Sequence, residues 1–134
     1  MQKMRAHYLI RLLSIPLFLG LFLMGCAIEQ RDEVIAGATI PIPRGMSKAK
    51  DQRAELTVPG FGGEQVAYRG STEPEEIIEF YKKEMPLRGW RPNASIVTRG
   101  GLLAYTKENK SVLITVSKSS GDTTLAVTVA GTRP

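Results

Sequence analysis

Thr72-Glu-Pro-Glu-Glu-Ile-Ile-Glu-Phe-Tyr-Lys-Lys-Glu-Met-Pro-Leu-Arg-Gly-Trp90 is the stretch that decides the fold. Ile77, Ile78, Tyr81 and Met85 stand at i, i+1, i+4 and i+8, one apolar face at helical period, with Phe80 at its border. Thr72 is placed as an N-cap with Glu75 three residues on, a capping box, and the acidic first turn suits the helix dipole. Pro74 is tolerated there because first-turn amides have no intrahelical partner. Glu79 and Lys83 form an i,i+4 pair on the exposed side. Pro86 ends the helix near Met85, and Gly89 allows a reversal before Trp90. The pattern predicts one helix over about 73–86 that must bury a single face.

Strand-like segments lie on both sides of it. Upstream, Glu55–Val58 and Glu64–Arg69 flank the turn-rich Pro59-Gly-Phe-Gly-Gly63, which predicts a hairpin. Downstream come Ala94–Thr98, Leu102–Lys107, Ser111–Ser117 and Thr123–Ala130, joined by links short enough for hairpins. Gly100-Gly101, like Gly60, Gly62 and Gly63, is expected in turns. Val112, Ile114 and Val116 alternate with polar neighbours, as do Leu125, Val127 and Val129. One buried and one wet face is the antiparallel habit. The expected class is α+β: an antiparallel sheet of about five or six strands, with the one helix packed on one face, over residues 54–132.

Phe80-Tyr81, Met85-Pro86 and Gly89-Trp90 are similar to the helix motif of a group of small bacterial lipoproteins in which a strand meander follows. The likeness spans about residues 66–130 and implies no particular activity.

The N-terminus carries Lys3, Arg5 and Arg11 without an acid, then the apolar Leu12–Met24, then Gly25 and Cys26. A basic start, a short apolar centre and a small residue at the boundary make an export signal over residues 1–25. The rival is a spanning anchor. The uncharged stretch from Leu12 to Ile28 is 17 residues long, at the low edge for a spanning helix, and Pro16 and Gly20 weaken it. Leu23-Met24-Gly25-Cys26 resembles the lipobox of bacterial lipoproteins, with Met24 departing from the usual small residue. That resemblance implies thioether acylation of Cys26, cleavage before it, and membrane lipid as a partner through the acylated cysteine. Each buried methylene contributes about 0.8 kcal/mol, so one acyl chain anchors marginally and two or three anchor durably. Ala27 rather than Asp follows the cysteine, which places the protein in the cell envelope, at the outer membrane facing the periplasm in a host with two membranes. Residues 26–53 are then expected to be the lipidated cysteine and a tether, although Ile40-Pro-Ile-Pro43 is apolar enough to lie extended along the domain.

Composition narrows the chemistry. A hydrophobic fraction of 43% with 23% charged residues is that of a folded chain. The 18 basic and 13 acidic residues give +5 and a pI near 9.6, but Lys3, Arg5 and Arg11 belong to the export segment. The remaining 15 against 13 give +2, too little to claim nucleic acid as a partner. The single histidine, His7, leaves with that segment, and the single cysteine is the acylation site. Ser-His-Asp and Cys-His catalysis lose their base, and no zinc or other metal site has its usual ligands. No phosphate-binding loop is present, and no cofactor is expected.

The remaining candidates have simpler readings. Glu73, Glu75, Glu76 and Glu79 read as a dipole-matched helix start. Ser47/Lys48 and Ser117/Lys118 could be Ser–Lys dyads, but neighbours on a strand point to opposite faces. Asn93-Ala-Ser95 is a sequon without meaning in a bacterial lipoprotein. Arg88, Trp90 and Arg91 form a basic-aromatic cluster able to grip a carboxylate, a sugar or a lipid headgroup; the competing reading is a buried Trp with surface arginines. The sum is a lipid-anchored, non-enzymatic binding or structural module with an envelope protein partner. The alternative is a small-ligand binder, or a histidine-independent enzyme acting on envelope polymers.

Overall fold

In a computed structural model of the chain, residues 30–58, 61–97 and 100–132 are described. Eight strands and one helix follow in the order β1 (Arg31–Ile35), β2 (Ala38–Ile42), β3 (Met46–Val58), β4 (Phe61–Gly70), α1 (Pro74–Leu87), β5 (Arg91–Val97), β6 (Gly100–Lys107), β7 (Lys110–Ser119) and β8 (Asp122–Thr132). Strands β3 to β8 form one antiparallel sheet in the order β3-β4-β8-β7-β6-β5, and β1 pairs with β2 as a separate hairpin. This is the α+β architecture expected, with six strands in the main sheet.

Alternation sorts each strand into two faces. Val112, Ile114 and Val116 of β7 lie beside Val129, Val127 and Leu125 of β8, and all six are buried. Ile77, Ile78, Tyr81 and Met85 bring the buried stripe of α1 onto this face, chiefly over β6 and β7. The helix covers only half of it. Over β4 and β8 lies the β1–β2 hairpin, whose Ile35, Ile40 and Ile42 are fully buried in the same core as Tyr68 and Val127. Residues 31–42 are therefore no tether, and the folded unit begins well before residue 54. Pro41 and Pro43 are buried as extended segments, as their fixed φ permits.

Several local expectations change. Glu73, not Thr72, is the N-cap, and it makes no side-chain capping bond. Thr72 Oγ1 instead donates to Arg44 O at 3.1 Å, so the capping box does not form. Pro86 lies inside the helix, which runs on to Leu87. The stop is the reversal at Gly89, φ +81°. There Gly89 N–H donates to Pro86 O at 3.0 Å and Trp90 N–H to Met85 O at 3.1 Å, a Schellman closure that a left-handed residue makes possible. Glu79 pairs with Lys82 at 2.9 Å rather than with Lys83. Gly62, Gly63, Gly100 and Gly101 are strand residues, not turns. At Gly101 an added Cβ would stand 2.5 Å from Ile78 Cδ1, so this glycine lets the helix sit down on β6.

Among the described residues no helix or hairpin lies over the other face of the main sheet, though Ala67 there is 6% exposed. One cross-strand row there runs Gln65, Thr128, Leu113, Ala104, Ala94, and the next runs Ala67, Ala126, Thr115, Leu102, Ile96.

Candidate functional site

Three chain reversals meet at one end of the covered face. The β1–β2 turn, Ala36-Gly37, has φ of +45° and +74°, the pairing that a two-residue hairpin loop of the I′ kind requires. A non-glycine residue in that region costs roughly 1–2 kcal/mol, and the Ala36 peptide is gripped on both sides. Its N–H donates to Glu64 Oε2 at 3.1 Å, and its carbonyl accepts from Lys110 Nζ at 2.9 Å. The second reversal is the end of α1, where the part-buried Arg88 carbonyl accepts from Lys107 Nζ at 2.8 Å, a cation closing a helix C-terminus. The third is the two-residue turn Glu108-Asn109, which sets Lys107 and Lys110 directly opposite each other.

Between these reversals lies a cavity of about 350 Å³ lined by Asp32, Gly37, Ala38, Thr39, Arg88, Trp90, Lys107, Glu108 and Lys110. Arg88 reaches Asp32 at 2.9 Å and Glu84 at 3.9 Å, while its buried Nε has no hydrogen-bond partner. Trp90 is 4% exposed, so the indole is a wall of the cavity rather than a surface residue. Each ammonium spends one of its three donors on a carbonyl and keeps two. Like charges paired across strands are unfavourable unless something of opposite sign stands between them. The carboxylates of Asp32 and Glu108 share the lining, so a small anionic group would be met chiefly by the remaining ammonium donors of Lys107 and Lys110, with Trp90 as an apolar contact.

Of the residues singled out by sequence, Arg88 and Trp90 line this cavity. Arg91 does not: it is an exposed residue of the edge strand β5. Cys26 and residues 1–25, expected to be an export signal, lie outside the described residues. Lys48 and Lys118 serve as ion-pair partners of Glu33 and Glu73. Glu75 and Glu76 are exposed in the first helical turn. Sequence reading missed Lys107, Lys110 and Asp32. For the lysines the available signal was the two-residue turn Glu108-Asn109 between strands, which places its flanking residues opposite each other.

A second polar centre fixes the hairpin. Tyr68 OH donates to Glu33 Oε2 at 2.7 Å, and Lys48 pairs with the other Glu33 oxygen. Burial alone would raise the Glu33 carboxyl; the hydrogen bonds from Lys48 and Tyr68, with the charges of Lys48 and Arg31, hold it below its ordinary value. Deeper in the core, burial pushes the Tyr81 phenol well up, aided by Tyr68 and Tyr105, and its hydroxyl has no partner. Among the described residues no group of three His, Cys, Asp or Glu side chains is placed to hold a metal ion.

Neither the comparison with curated proteins nor that with solved structures returned a match. A family model described as START domain-like matches residues 48–129, from β3 to β8. That span holds the whole helix and nearly all of the main sheet, and omits the β1–β2 hairpin. With more than half of the sequence matched, the chain belongs to the START domain-like family.

Proposed function

We propose that the protein is a membrane-tethered, non-catalytic binding module that takes a small anionic ligand into the cavity walled by Trp90. START-like domains are typically ligand-binding and non-enzymatic, which supports a binding role for this chain. The observation that carries the ligand's charge is the pairing of Lys107 with Lys110 across one turn, beside Arg88. The tether rests on the lipobox-like Leu23-Met24-Gly25-Cys26: a diacylglycerol on Cys26 would hold the domain at the envelope face of a membrane. An envelope protein partner then becomes the source or recipient of the ligand.

Ligand binding stabilises the folded state by about 2.7 kcal/mol at a hundredfold excess over Kd. Inorganic phosphate, sulfate and a simple dicarboxylate are the probes. At least one should raise Tm by several degrees in the wild-type protein, and none should do so in the Lys107→Ala/Lys110→Ala variant. Equal shifts in both proteins would place binding elsewhere. For the tether, growing cells labelled with a fatty acid should mark the wild-type protein and leave Cys26→Ala unmarked.

A further inference from the structure

The geometry points to the open face of the main sheet as a docking surface for a second copy of this chain, stacked sheet on sheet. Helix and hairpin share one face, and among the described residues no element lies over the β6–β8 part of the other, on which Ala67 of β4 is the one buried side chain at 6% exposure. Its centre is Leu102, Ala104, Leu113, Thr115, Ala126 and Thr128, six side chains in two rows across β6, β7 and β8. None carries a charge, in a chain where 23% of residues do. A sheet face that meets only water normally alternates into polar residues; here Leu113 is 38% exposed and Ile96, in the same surface, 57%.

Chemistry and area select the occupant. Small, uncharged, flat side chains suit the roughly 10 Å spacing of two packed sheets. They offer neither cations for an anionic bilayer nor large wedges to enter one. A centre without charge also opposes no like charges when it meets itself about a two-fold axis, the isologous contact of most dimers. Six strands about 4.8 Å apart and four rows about 6.8 Å apart give a face of roughly 29 by 27 Å, or about 780 Å². A stable interface needs about 800 Å² from each partner. Arg69 and Arg91 are charged residues of this face and both stand at its rim, Arg69 at the end of β4 beside Thr124 and Arg91 at the start of the edge strand β5 beside Thr106. Gln30 and Arg31 lie beside Met46 at that same end of the sheet. A two-fold axis along the strands would leave both chains pointing to one side, as two acylated cysteines in one membrane require. The dimer uses the face opposite the ligand cavity, so either reading can fail without the other.

The test is the mass of the full-length protein by sedimentation, with detergent micelles in large excess so that two chains are not forced into one. The wild type should be a dimer at micromolar concentration. Leu113→Lys and, separately, Thr128→Glu should weaken it at least 100-fold while leaving the circular dichroism spectrum unchanged, since both side chains face outward in the monomer. Two positions guard against one variant failing to fold. A wild-type monomer at 100 µM, or a dimer indifferent to both substitutions, would overturn the proposal.

Discussion

Residue by residue, packing against glycine and tyrosine decides more than the charges do. Gly101 was legible only as a glycine; that it lies under Ile78 depends on where the helix lands, which periodicity does not encode. Gly101→Ala would drive a methyl to 2.5 Å from Ile78 Cδ1, and overpacking of that kind costs about 1–3 kcal/mol. Urea denaturation should show the loss, and Ile78→Val in the same chain should relieve part of it. Tyr81 is the opposite case. Its buried hydroxyl lacks a partner, so Tyr81→Phe removes a desolvated group without removing a bond. The variant should be as stable as the wild type or up to about 1 kcal/mol more stable.

At the scale of elements, the helix was readable and the hairpin was not. Ile77, Ile78, Tyr81 and Met85 fall at helical period within a helix of fourteen residues, a signal that survives any tertiary setting. The β1–β2 segment spans only five residues a strand and is interrupted by Pro41. Beside the lipobox-like Leu23-Met24-Gly25-Cys26 it reads as linker. Its core role depends on partners far away in sequence. If the hairpin is integral, Ile40→Ala should cost about 2–5 kcal/mol, whereas in a tether it would cost nothing measurable. Glu33 makes the same point through pH. Its folded carboxyl lies below the ordinary 4.5, so its contribution is complete above the unfolded value and is lost as pH falls through the folded one. Below about pH 4.5 the stability of Glu33→Gln should therefore fall less steeply than that of the wild type.

For the whole molecule, two of the five residues that make the candidate site, Arg88 and Trp90, could be read from sequence because they follow directly on the helix whose stop signal they belong to. Lys107, Lys110 and Asp32 could not, because three separate reversals bring them together and no local pattern ties those reversals to one another. At this meeting place, on the proposed reading, the protein binds a small anion. Trp90 is the only tryptophan in the chain and forms part of the cavity wall, so its emission reports on this site alone. Titration of the full-length protein with phosphate, sulfate and dicarboxylates should give a saturable change in emission with at least one of them. The change should weaken at least tenfold in Lys107→Ala and disappear in Lys107→Ala/Lys110→Ala. No saturable change with any of these anions, or a response that survives loss of both lysines, would contradict the account.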